Sequence, residues 1–314
     1  MSPSLALARR NVLIYLRDRQ SVFFSLMGVL IVVLLYLLFL RDMLISSYPD
    51  FPGMNRLMDA WVLSGIMGIV PVTTCAGCLQ PMVEDRCNGR EHDILVTPMT
   101  PWGVASGYIL STFAVGSIMS LTALILCIAY LAVTGCLLTA SGVLTAAALI
   151  VPSALSASVI VYTMASCVRS TGAFSGLFVV VSVMIGFLAG IYMPMGTMPD
   201  AMQTVGTLVP ASHMAALFRN ALATGHLDSV FAGSTPDVLA EFRLDMGFDL
   251  ELGGFAFTDG GMLLYALAVT AAAFAAAAYG IGRRRRGRAP IIYAHRLRAL
   301  CTGTISPAST WTAR

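Results

Sequence analysis

Residues 104–133 read VASGYILSTFAVGSIMSLTALILCIAYLAV, and after a turn, TGCLLTASG (134–142), the chain continues VLTAAALIVPSALSASVIVYTMASCV (143–168). No charged residue occurs from Val104 to Val168. A helix needs about 20 apolar residues to cross the hydrocarbon of a bilayer, and each run exceeds that. In lipid every backbone polar group must be bonded within its own segment, so uninterrupted apolar runs of this length are transmembrane helices.

The same criterion, applied outward, places further spans at about 22–40, 57–79, 173–192 and 261–281. The expected fold is therefore an all-α polytopic membrane protein with six spans. One transmembrane domain covers 1–282, and a basic tail follows over 283–314. The first run is longer than a signal-peptide core and lacks an A-x-A exit, so it reads as a retained anchor. Before it, LALARRNVLIYLRDR (5–19) places Leu5, Ala8, Val12, Leu13 and Leu16 on one helical face and predicts an interfacial amphipathic helix.

Composition agrees: 57% of the residues are hydrophobic and only 11% charged, with a net charge of +3. All 19 basic residues are Arg. A Walker A site needs the Lys of GxxxxGK[ST], so any ATP that drives this chain is hydrolysed on another one. Cys75 and Cys78 form a CxxC, but no further ligands follow, and they read as packing residues with no metal. The RRRRGR run at 283–288, directly after a span, reads as a topology signal that meets anionic lipid, with no nucleic-acid partner.

Arg9, Arg10, Arg17 and Arg19, then Arg86 and Arg90, Arg169, and the arginines from Arg283 onward all fall on one side of six spans. Basic residues mark the cytoplasmic side, which predicts a multi-pass plasma-membrane protein with both termini cytoplasmic. A Lys-free composition fits a GC-rich bacterial genome.

Two segments break the alternation of span and loop. The first is QPMVEDRCNGREHDILVTPMTPW (80–102), where Glu84, Asp85, Arg86, Arg90, Glu91, His92 and Asp93 form a charged patch and Pro98 ends an apolar edge. On the residues alone it is either a short helix that meets a soluble partner or a solvated connector. The second is GIYMPMGTMPDAMQTVGTLVPASHMAALFRNALATG (190–225). Its apolar pieces, interrupted at Pro194, Pro199 and Pro210, are too short to cross and suit a re-entrant or interfacial helical hairpin on the opposite side, or else an ordinary loop lying on the headgroups.

Together these features resemble the type-2 ABC exporter permeases, which include antibiotic-resistance and polysaccharide exporters. In that family a Glu-rich, Gly-containing helix ending in L-[LV]-[ST]-P follows the second span, and EDRCNGREHDILVTP (84–98), with Gly89 and Pro98, looks like it. The fifth span there runs into a Gly, a Pro pair, then Pro-x-[ST]-[HY] and a later Arg. Here Gly190, Pro194, Pro199, Pro210, Ser212, His213 and Arg219 stand in that order.

The resemblance implies that residues 84–98 are a coupling helix seated on an ABC ATPase subunit, with the N-terminal helix gripping the same subunit. ATP and Mg would be bound there, with no cofactor and no catalytic residue in this chain. It also implies a second permease copy or a homologue across a shared pathway, and residues 190–219 as an outer gate. Apolar walls suit an amphipathic or hydrophobic substrate, such as a drug. A polytopic membrane enzyme built around His92, or an ion-coupled carrier, are the rival classes.

Overall fold

The protein, described by a computed structural model over residues 2–46, 51–89 and 99–301, is almost wholly helical. In chain order it forms α1 (Pro3–Arg17), α2 (Arg19–Leu35), a π-helical turn (Tyr36–Leu40), α3 (Arg41–Ser46), α4 (Met54–Cys87), α5 (Pro101–Val133) and α6 (Ala140–Cys167). Next come α7 (Thr171–Leu188), a 3-10 turn (Met195–Thr197), α8 (Asp200–Leu208), α9 (Pro210–Val230) and α10 (Pro236–Asp245). A small antiparallel hairpin, β1 (Glu251–Leu252) with β2 (Phe255–Ala256), leads into α11 (Asp259–Cys301). Six stretches are long and apolar enough to cross a membrane: Arg19–Ser46, Met54–Cys87, Pro101–Val133, Ala140–Cys167, Thr171–Leu188 and Asp259–Gly280. The chain is thus an all-α polytopic membrane protein, and six crossings put α1, the C-terminal end of α4 and the α6–α7 turn on one side.

Short polar residues start these helices. The side chains of Asp18, Thr100, Thr139 and Ser170 accept from the free amides of Gln20, Gly103, Gly142 and Ala173 at 3.1–3.2 Å. Pro101 follows Thr100 at the first helical position, where its missing N–H costs nothing.

Helix α4 is the core. Leu57, Met58, Trp61, Ile66, Met67 and Val70 are buried against α5, α6, α7 and α9. α9 lies closest along it because Gly68 faces Ala215: a Cβ on Gly68 would come within 2.7 Å of the Ala215 Cβ. The first span stands at the opposite extreme, with Phe24, Leu30, Leu38 and Phe39 all more than half exposed. In lipid such a face carries no penalty, since hydrocarbon is as apolar as the side chains.

Two features differ in detail from the expectation. The second helix passes through Pro71 and Pro81 and continues to Cys87, so Glu84, Asp85 and Arg86 extend it instead of opening a separate helix. A helix that leaves the membrane needs no apolar face to persist, and this one stops where Gly89 adopts a left-handed φ of 75°. The remaining residues of the expected coupling helix, Arg90, Glu91, His92, Asp93 and Pro98, lie outside the described residues. In α1 the buried set is Leu7, Ala8, Asn11 and Tyr15, at helical spacing but rotated from the predicted stripe, because Leu7 sits over Gly107 of α5. Leu5, Leu13, Ile14 and Leu16 stay exposed.

Candidate functional site

Those of the residues singled out from sequence that the structure describes fall at the two ends of the bundle. On the N-terminal side, the last turn of α4 carries two carboxylates that point apart. Asp85 is buried and receives the Arg10 guanidinium from α1 at 3.3–3.4 Å, an ion pair with side-chain exposures of 46% for Arg10 and 7% for Asp85. Glu84 lies at the surface and accepts from Gln80 at 3.0 Å, one helical turn earlier. Arg86 reaches over to α6 and donates to the carbonyls of Ala165, Ser166 and Val168 at 3.3–3.4 Å. Those carbonyls lie at the C-terminal end of α6, where a cation also meets the negative pole of the helix. Asp85 and Arg86 therefore fasten the end of α4 to α1 on one flank and to the α6–α7 turn on the other.

On the far side, Arg219 is 1% exposed. Its guanidinium donates to Gly247 O at 3.0 Å, Ala189 O at 3.0 Å and Gly190 O at 2.7 Å, and lies 4.9 Å from the centre of the Trp61 ring. Gly190 and Gly247 both have left-handed φ, 65° and 67°, which turns their carbonyls inward at little cost for glycine alone. Gly65 and Gly247 also leave the space: a Cβ on either would stand 2.9 Å from a guanidinium nitrogen. One side chain on α9 thus ties together the end of α7, the segment after α10, and α4.

The other members of the predicted gate are dispersed around this knot. Pro194 precedes the 3-10 turn, Pro199 caps α8, and Pro210 opens α9. His213 is fully buried; it contacts Thr207 O at 2.7 Å through Nε2 and stacks on Tyr265 with ring centres 4.4 Å apart. Of the set, Arg219 and Gly190 touch directly.

The acidic extension after α9 is anchored beside the knot. Arg243 forms a two-pronged pair with Asp249, at 2.6 and 2.8 Å, and also donates to Asn220. Asn220 in turn reaches Asp259 at 2.8 Å. Nearby, Cys136 Sγ lies 3.1 Å from His226 Nε2. Burial, and after it the neighbouring Arg56, hold His226 below the ordinary histidine value, and burial pushes the Cys136 thiol up to about 11. At neutral pH the pair is a neutral thiol beside a neutral imidazole, a packing contact between the α5–α6 turn and α9.

One polar cluster escaped the sequence reading. Asp59, within the second span, is 2% exposed and accepts from Tyr36 Oη at 2.8 Å and Arg41 Nε at 3.1 Å. Tyr36 begins the π-helical turn and Arg41 directly follows it. The local widening of a π turn brings both onto the α4 side. The signal was available: a lone carboxylate in an apolar run requires a partner. Asp59→Ala would leave two donors unpaired, and we expect a loss of about 2 kcal/mol and a melting temperature lowered by about 4 °C. Fluorescence-monitored thermal unfolding of the purified protein checks this, and an unchanged midpoint would show that the first span is held by other contacts.

Among the described residues no three metal-ligating side chains converge. What the arrangement offers is mechanical: six spans, with α4 buried among the others, and a fastened joint at each end. This is the build of a transport subunit. Residues 45–279 match the family model of the ABC-2 family transporter proteins, and the chain belongs to that family. Membrane subunits of this family work with a partner ABC ATPase, so the chain is an ABC transporter membrane subunit. No curated protein matches the chain.

Proposed function

We propose that the chain is the permease half of an exporter, moving an amphipathic or hydrophobic molecule outward while a separate subunit hydrolyses ATP. Its N-terminal side faces the cytoplasm. The ATPase docks on the segment that follows Glu84, and a second copy or a homologue completes the pathway. The observation that carries this is the double fastening of the α4 end, by Arg10–Asp85 to α1 and by Arg86 to the end of α6. A push on the adjoining residues 90–98 reaches three elements at once, and α4 carries it into the core. ATP binding then biases a bundle with two discrete arrangements, which is how such small displacements are amplified.

Gentle purification of the tagged chain from its native membrane tests the pairing. A Walker-motif ATPase subunit is expected in stoichiometric amount, and the pair should hydrolyse ATP at a rate that the exported molecule changes. Recovery of the chain alone, under conditions that keep other membrane complexes intact, would remove the reading.

A further inference from the structure

Helices α6 and α7 are joined by a turn of three residues, yet they scarcely touch along their length. They diverge around a cavity of about 270 Å³ that α4 backs at Gly68 and the α8–α9 elbow roofs at Val209 and Pro210. Its walls include Ala157, Ile160 and Met164 from α6 and Val181 and Met184 from α7. No charged residue lines it; its polar lining is two serines of α6, Ser153 and Ser156, and the Ser156 hydroxyl accepts from Thr270 of α11 at 2.8 Å. At about 1.5 Å of rise per residue, Ala157 lies roughly 15 Å from the end of α6 and Met184 roughly 20 Å from the start of α7, so the cavity sits near mid-depth. Its mouth is marked by Val180 and Met184, 59% and 43% exposed on a spanning helix.

We propose that this cleft is a binding site for a single aliphatic chain, entered sideways from the membrane between α6 and α7. Three arguments select that occupant. Water is a poor fit, because two serines at one wall fall short of the several polar partners it needs, and an engineered apolar cavity of about 150 Å³ stays dry and takes benzene. The medium assigned to the mouth is hydrocarbon, because it opens at mid-depth on a face of a spanning helix that no described residue covers. Two of its walls end in methionine, Met164 and Met184, whose unbranched side chains adapt to a chain of variable shape. The occupant has consequences because the roof is the elbow of the α8–α9 hairpin: a chain in the cleft touches the start of α9, the helix that carries Arg219. The chain belongs either to a membrane phospholipid or to an exported amphiphile.

Photolabelling in vesicles distinguishes these sources and tests the site. The full chain is reconstituted in phosphatidylethanolamine–phosphatidylglycerol vesicles containing, in one arm, phosphatidylglycerol with a mid-chain diazirine and, in the other, a single-chain dodecyl amphiphile with the same group. After irradiation, labelled peptides are mapped by mass spectrometry. Labelling is expected to concentrate on 157–164 and 180–185, above that of lipid-exposed Leu121 and Ile125 on α5. Enrichment with the phospholipid assigns the chain to the bilayer; enrichment with the amphiphile alone assigns it to an exported molecule. Val180→Trp, at the exposed mouth, should lower the enrichment several-fold at unchanged melting temperature, and Ala157→Leu should do so from the cavity floor. Labelling no higher there than on α5, or insensitive to both substitutions, would overturn the site. Neither result depends on the ATPase pairing, so the exporter reading stands or falls separately.

Discussion

Replacing Arg219 by Met should destabilise the protein by roughly 3 kcal/mol and lower its melting temperature by about 7 °C. The guanidinium supplies hydrogen bonds to three buried carbonyls, at residues 189, 190 and 247, from one rigid plane. Bonds to a charged donor contribute about 1.5–3 kcal/mol each, so the gross loss is about 6 kcal/mol. Part returns because a buried cation with no carboxylate beside it no longer has to be desolvated. The loss prevails because Met fills the volume but leaves all three carbonyls without a donor. Lys should recover less than half, since a point charge with a tetrahedral head cannot address carbonyls spread along the fork of a guanidinium. Thermal unfolding of Arg219→Met and Arg219→Lys decides the matter. Wild-type midpoints in both would mean that the carbonyls find other donors and that the far-side knot is no fastening at all.

The same residue shows where the sequence could be read and where it could not. The order Gly190, Pro194, Pro199, Pro210, His213, Arg219 was visible as a pattern, and three prolines in a short apolar stretch marked a hairpin that cannot cross. The partners of Arg219 were invisible, because they are main-chain carbonyls, and every residue has one. Only the two left-handed glycines betray them, and a glycine becomes informative once its φ is known. Asp59 failed for a different reason. Its partners Tyr36 and Arg41 precede it by 23 and 18 residues across a loop, and Arg41 looked like the polar end of a span. Span positions were legible throughout, since they depend on long runs of one property. Helix ends beyond the membrane are less so: apolarity places the end of the second span near 79, but the backbone stays helical to Cys87.

The two joints differ in how they can yield. The far-side knot is a cation held by neutral carbonyls within the fold, so breaking it exposes nothing that solvent can replace, and it behaves as a fixed point. The N-terminal joint uses a half-exposed arginine, whose attraction to Asp85 is weakened by water and salt. A lever that must move once in each ATP cycle is better served by the weaker fastening at the driven end and the stronger one at the opposite end.

That contrast sets the sharpest functional expectation for the proposed exporter. Asp85→Arg places a cation against Arg10 and should reduce transport about 30-fold while ATP hydrolysis by the partner subunit continues, the factor that corresponds to roughly 2 kcal/mol of lost coupling. By sequence Glu84 and Asp85 belong to one charged patch, but the structure separates them. Glu84→Arg, on the surface face beside Gln80, should transport within about twofold of wild type, as an exposed charge away from a joint contributes little. Exchanging the pair, Arg10→Asp with Asp85→Arg, restores an attraction of the same geometry and should recover most of the transport that the single change loses. The measurement is uptake of the exported molecule into inverted vesicles, with ATP hydrolysis followed in the same sample. Full transport by Asp85→Arg, or no recovery in the exchange when both proteins melt like wild type, would show that the α1–α4 joint does not carry the stroke.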